Sequence, residues 1–243
     1  MSIFLSPSIE RNLCFLVDKM QDDDSDSGEK SQEKVKIWVS KELLAVASPV
    51  FNAMIYGDFR ESHLPSTEPI YLPEKNDEDF LKFLDCLFPY PTQSDIDESN
   101  IEAILRLSNE YQVEYLMKKC DRYYEKVIRD LGVANDKVLV YLTIILKYKL
   151  KRALEICLPY MATLDVKVLS KHRFQNVPAI DGYDQVYFAV YEAKLRRHLD
   201  GKCGKCHKTI PGEAAEYARC HTCGLKGYSC ICGYEFESIH LNW

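Results

Sequence analysis

Long apolar runs are missing from this 243-residue chain. The longest, around Val138 to Leu146, is about half of the roughly 20 residues a membrane-crossing helix needs. The opening MSIFLSPSIERN has neither a basic start nor a sustained apolar core, so no secretory leader is expected. Also missing are a glycine-rich loop to cradle phosphate, a paired-histidine metalloprotease motif and a nucleophile elbow, so an enzyme is not expected. No self-similarity recurs at a solenoid period. Basic excess is lacking too: the net charge is −6. Residues Gln21 to Lys34 supply most of it, with six acids against two lysines. The remainder is close to balanced, which argues against nucleic acid or anionic lipid as partners. These absences suggest a cytoplasmic or nuclear location, where thiols stay reduced.

Cysteine is plentiful. Six of the ten cysteines fall between Cys203 and Gly233. In a reducing compartment they read as metal ligands before disulfides. Cys203-x-x-Cys206, a gap of thirteen residues and Cys220-x-x-Cys223 have tetrathiolate zinc spacing. Two cysteines three apart on a tight turn converge on one ion at Zn–S distances of about 2.3 Å, and two such turns complete a tetrahedron. The tail is too poor in large aliphatic residues to form its own core, so Zn2+ would have to organise it. Cys230 and Cys232 are the substitute ligands for either pair, and a second site involving His207, His221 or His240 stays open. A redox centre fits less well, because Cys203 follows a helix end and a second CxxC would be unexplained. From Gly201 onward five Lys/Arg face four Glu, poor footing for phosphate contacts. Cys14, Cys86, Cys120 and Cys157 fall on apolar faces and read as core thiols.

Along the chain, Leu13 to Val17 predicts a buried strand, and Val35, Ile37 and Val39 predict a second strand with one buried face. Residues 21–34 between them read as a solvated loop. KELLAVA predicts a helix, Ser48-Pro49 a cap and helix start, and VFNAMIYG a helix stopping at Gly57. Pro69 to Pro73 leaves room for only a short strand. Asn76 caps a helix with Phe80, Leu84, Leu87 and Phe88 on one stripe, and Ser99 with Glu102 has capping-box spacing. A further stripe is Leu116, Cys120, Tyr123 and Val127. Beyond it three helices are expected, carrying Val138/Leu142/Ile145/Leu146, Ala153/Cys157/Leu158 and Tyr187/Val190/Tyr191/Lys194/Leu195. The fold class is α+β followed by helices.

Leu43-Leu44, Ser48-Pro49-Val50-Phe51, Met54, Gly57 and Asp58-Phe59-Arg60-Glu61-Ser62 occur in this order within Val35 to Glu125. They are followed by Leu72-Pro73, Phe80, Leu84, Phe88-Pro89-Tyr90, Asn100 through Leu107, Tyr111, Leu116 and Cys120. In that order and spacing the segment resembles the BTB/POZ domain, of an invertebrate type. The resemblance implies a BTB/POZ domain over residues 1–128 with an acidic loop insertion at 21–34. A helical BACK-like extension would follow over 129–200, and a zinc-ribbon-like module over 201–243. It also implies a protein-interaction adaptor. Phe59-x-Glu61 fits the hydrophobic-x-Glu pattern by which many such proteins dock onto a cullin scaffold, an aromatic anchor plus a carboxylate that fixes register. The same residues also read as a locally packed Phe59 and a solvated acid. On the docking reading the chain is a substrate-recognition subunit of a cullin-RING ubiquitin ligase, with the scaffold and a protein substrate as partners. The alternative is a self-associating scaffold or transcriptional regulator. Trp38 to Leu44 lacks the two histidines usual at the second strand's end, and Arg11-Asn12 replaces the usual acid, which counts against corepressor recruitment. The short N-terminal arm counts mildly against an obligate dimer, and a homodimer stays open.

Overall fold

The computed structural model describes residues 2–20, 33–65, 68–88, 94–175 and 182–200. The acidic insertion lies almost wholly outside the described residues. So do Pro89, Tyr90 and the whole segment beyond Asp200, with all six cysteines and the histidines of the expected zinc module. The chain divides into two compact units, 1–120 and 121–243.

The first unit is built on three strands, β1 (Leu13–Asp18), β2 (Lys34–Val39) and β3 (Ile70–Asn76), in the order β2-β1-β3. β1 and β2 are antiparallel, with Phe15 opposite Ile37 and Cys14 opposite Trp38. β1 and β3 are parallel, pairing Phe15 with Ile70 and Leu16 with Tyr71. Parallel neighbours need a crossover, supplied by two short helices, α1 (Lys41–Ala47) and α2 (Pro49–Tyr56). The expected short strand is longer than predicted, running through Pro73 to Asn76. Proline is tolerated because β3 is an edge strand, and the register shift before Asn76 accommodates Glu74 at φ 60°.

Two helices follow, α3 (Asp77–Leu87) and α4 (Ile101–Glu110). Asn76 caps α3 by accepting from the Asp79 amide at 2.8 Å. The capping box expected at Ser99 does not form. Ser99 instead donates to Asp97, and Asn100 occupies the cap position without a side-chain bond to the helix. The core is aromatic: Phe15 contacts Phe51 at 5.7 Å and Phe80 at 5.8 Å between ring centroids, and Phe51 stacks on Tyr111 at 4.2 Å. Each such ring, fully buried, is worth about 1.5–3 kcal/mol.

Helix α5 (Glu114–Leu131) begins in the first unit and ends in the second. Its buried stripe is Leu116, Cys120, Tyr124 and Ile128; Tyr123 and Val127, expected inside, are half-buried. The second unit continues with α6 (Lys137–Lys147), α7 (Lys151–Ala162), α8 (Val166–Gln175) and α9 (Tyr183–Asp200). Sequence reading missed α8 because it carries no apolar stripe: Leu169 is buried while Val166 and Val168 are exposed. Both ends of α7 are capped from afar. The Asp121 carboxylate accepts from the Arg152 and Ala153 amides at 3.1 and 2.8 Å, and Lys194 donates to the Ala162 and Leu164 carbonyls at 2.8 and 2.7 Å.

Cys14, Cys86, Cys120 and Cys157 are all buried and form no disulfide, as expected of core thiols. Burial pushes the Cys86 thiol up to about 11 and raises those of Cys14 and Cys157, so none of these three is a nucleophile near neutrality. Among the described residues, no helix is long and apolar enough to cross a membrane.

Candidate functional site

Ser48 fixes the start of α2. Its Oγ accepts from the Phe51 amide at 3.0 Å and donates to the Tyr111 carbonyl at 2.5 Å. Pro49, in the first turn, has its φ preset for helix. Phe51 and Ile55 point into the core. Helical spacing therefore leaves Pro49, Val50, Ala53 and Met54 together on the outer side.

Gly57 ends α2, donating to the Ala53 carbonyl at 2.8 Å. The chain turns so tightly here that a Cβ on Gly57 would collide with the Ala53 carbonyl oxygen and lie 3.2 Å from Phe59 Cδ2. Two residues on, Phe59 caps a short 3₁₀ turn, Arg60–His63. Its carbonyl accepts from the Ser62 amide at 3.1 Å and from Ser62 Oγ at 2.7 Å. An exposed contact between His63 Nε2 and Asp58 Oδ1, at 3.0 Å, brackets the same turn.

This turn brings the two sequence-predicted docking residues together. Phe59 and Glu61 both line a groove of about 370 Å³, with Pro49, Val50, Ala53 and Met54 from α2 and Gln112 from the α4–α5 connection. Phe59 is 55% exposed, so its ring is not consumed by local packing. Glu61 is half-buried and, among the described residues, the only charged one lining the groove. The arrangement offers an apolar trough with one carboxylate, suited to an apolar segment that carries a hydrogen-bond donor or positive charge. Among the described residues that line it there is no nucleophile and no acid–base pair.

Sequence reading missed the rest of the trough. The α2 residues had a legible signal, since they sit at helical spacing opposite Phe51 and Ile55. Gln112 had none, because it lies some fifty residues from Phe59 and is brought there by tertiary packing.

The expected zinc ligands Cys203, Cys206, Cys220 and Cys223, with Cys230 and Cys232, lie outside the described residues. Among the described residues no cluster of three or more His, Cys, Asp or Glu converges as a metal site.

The BTB/POZ domain family matches residues 25–128. BTB and MATH domain-containing protein 38 of Caenorhabditis elegans is 34% identical over 90 residues, covering 37% of this chain and 22% of that protein. BTB and MATH domain-containing protein 36 of the same organism is 24% identical over 164 residues, covering 68% of this chain and 46% of that protein. BTB/POZ domain-containing protein 6 of Xenopus tropicalis is 35% identical over 94 residues, covering 37% of this chain and 16% of that protein. The chain thus spans less than half the length of each of these curated relatives. The nematode matches agree with the invertebrate type expected from sequence. The family match takes in β2, the helical crossover, β3 and the helices packed on them: residues 25–128 of this chain are a BTB/POZ domain.

Proposed function

We propose that this protein is a non-enzymatic adaptor which docks onto a cullin-type scaffold through Phe59 and Glu61 and so brings a target protein to a ubiquitin ligase. The observation that carries this reading is that Phe59, more than half exposed, and Glu61 line one groove with the outer face of α2. BTB domains are generally protein-interaction modules, and the BTB and MATH relatives suit an adaptor role. Phe59 enters an apolar pocket of the scaffold, and Glu61 meets a donor or cation there.

On this reading the helices of the second unit, or the segment from Gly201 onward, contact the target. The zinc reading of that segment stands as part of the proposal: one Zn2+ on Cys203, Cys206, Cys220 and Cys223, with Cys230 and Cys232 as alternates. The place of action is the cytoplasm, the nucleus or both.

The test is capture of a recombinant cullin N-terminal domain by purified protein. Phe59→Ala and Glu61→Ala should each lower affinity about tenfold or more, as expected for central anchors. Equal capture by wild type and both variants would remove the docking role.

Self-association is the second reading, favoured by the exposed apolar side chains of α1, where Leu43 is 55% and Val46 88% exposed. Light scattering decides it, since a strict monomer at high concentration rejects this reading.

A further inference from the structure

Gln112 stands out within the groove. It follows α4 in the position that closes a Schellman turn: its amide donates to the Asn109 carbonyl at 3.4 Å, and the next amide, of Val113, reaches the Ser108 carbonyl at 2.8 Å. Its φ is 53°, the left-handed region that glycine enters freely and other L-residues enter at a cost. Local chemistry alone therefore prefers glycine here. Glu74, Ala134 and Lys149 share this backbone conformation, but none of them lines the groove.

The placement of Gln112 is tightly held. Tyr111, directly before it, is buried, stacks on Phe51 at 4.2 Å and gives its carbonyl to Ser48 Oγ. Val113, directly after it, is fully buried. The side chain of Gln112 is exposed between these two anchors. Among the described residues its carboxamide has no hydrogen-bond partner. A rigid backbone thus presents an amide donor and acceptor at a groove whose only charged residue, among the described residues, is Glu61.

We propose that Gln112 is a specificity-determining contact of the groove: its carboxamide hydrogen-bonds a polar side chain on the flank of the apolar scaffold segment that occupies the groove. It would act as a second polar contact in addition to that of Glu61. This rests on the docking reading above. The occupant is the apolar segment of the cullin scaffold. Glu61 and Gln112 together select among segments by their polar flanks rather than by their apolar stripe, because unmatched polar groups at a desolvated edge weaken binding.

Gln112→Gly separates a contact role from a structural one. Glycine takes φ 53° without strain, so the unfolding midpoint should stay within a few degrees of wild type, strain relief offsetting the extra freedom of the unfolded chain. Affinity for a recombinant cullin N-terminal domain, measured by isothermal titration with the full chain, should fall about three- to tenfold, the loss of one hydrogen bond. Phe59→Ala is run beside it. If Phe59→Ala weakens binding while Gln112→Gly binds like wild type, the contact role of Gln112 is overturned and docking stands. If the wild type does not bind, or Phe59→Ala binds as tightly, the docking reading and this inference both fall. A binding loss in Gln112→Gly accompanied by a matching fall in stability also overturns the contact role.

Discussion

Ser48 Oγ and the Tyr111 carbonyl oxygen meet at 2.5 Å in a fully buried bond between residues far apart in sequence. The bond ties the first turn of α2 to the turn after α4, and these two segments supply two sides of the groove. Because the same Oγ also accepts from the Phe51 amide, one atom closes a helix cap and a tertiary link.

Ser48→Ala should therefore destabilise the protein by more than a simple cap deletion. Loss of the cap costs about 1 kcal/mol, and the stranded Tyr111 carbonyl a further 1–3 kcal/mol. Urea unfolding should show a total of about 2–4 kcal/mol. A change under about 0.5 kcal/mol would mean that the Tyr111 carbonyl finds another donor.

Gly57→Ala tests the turn that aims Phe59. The added methyl cannot coexist with the Ala53 carbonyl in the present geometry, so α2 or the Phe59 turn has to shift. Overpacking of this kind costs about 1–3 kcal/mol. Phe59→Ala, by contrast, removes a largely exposed ring and should leave unfolding within about 0.5 kcal/mol. If both substitutions are equally mild, the close approach at Gly57 does not constrain the turn.

Much of this architecture can be read from the sequence, for identifiable reasons. Phe80, Leu84, Leu87 and Phe88 form a buried stripe because helical period and apolar type agree there. Ser48-Pro49 and Asn76 mark helix starts through local chemistry that does not depend on the rest of the fold. Phe59 and Glu61 are legible because they are two residues apart just after a glycine. Other features depend on contacts remote in sequence. The capping of α7 by Asp121 and Lys194 comes from distant helices, and α8, with Leu169 its one buried apolar side chain among the described residues, is tied to α9 by hydrogen bonds involving Ser170 and His172. The exchange of Tyr123 for Tyr124 in the α5 stripe reflects a near-tie in apolar pattern that packing alone settles. Gln112 belongs to the same class, since no local rule connects the end of α4 to a turn after Gly57.

The remote caps of α7 can be tested separately. Leu150, at the α7 cap position, has no side-chain oxygen, so Asp121 does the capping instead. Asp121→Ala should cost about 1–2 kcal/mol by the usual scale for lost helix caps. At the other end, Lys194→Met keeps the aliphatic stem and removes the donor to two carbonyls, for a loss of about 1–3 kcal/mol. Chemical denaturation measures both. Wild-type stability in Asp121→Ala would show that solvent satisfies the first amides of α7 equally well.

The zinc proposal makes a stoichiometric prediction. Reduced, purified protein should carry one zinc ion per chain, and Cys220→Ser should lose it while the BTB/POZ domain unfolds at its usual midpoint. Chelation should expose the segment after Asp200 to protease, since a metal-organised module of this size unfolds when the ion leaves. Metal-free protein with the same protease pattern would rule the site out.

The last prediction concerns pH and the second unit. His172 Nδ1 lies 2.7 Å from the Tyr187 hydroxyl and 3.0 Å from that of Tyr183, and burial lowers its pKa from 6.5. Neutral Nδ1 accepts from a tyrosine; once protonated it is a donor facing two hydroxyl oxygens, which then have to reorient. Tyr191, hydrogen-bonded to Ser170, and Cys157 also act on Tyr187, whose own hydroxyl burial pushes upward, and the Arg173–Asp184 pair lies on the same two helices. Burial raises the Tyr183 and Tyr187 hydroxyls, so neither of these two ionises near neutrality and the imidazole is the group that titrates. Because its folded pKa is below the unfolded one, the unfolded chain binds the proton more readily. The contribution of His172 is therefore complete above about pH 7 and declines as pH falls below 6.5 toward the folded pKa. His172→Gln removes the titration, so its unfolding free energy should depend less steeply on pH between 7.5 and 5.5 than that of wild type. Urea titrations at the two pH values give both slopes, and parallel slopes would show that His172 is solvated well enough to charge without penalty.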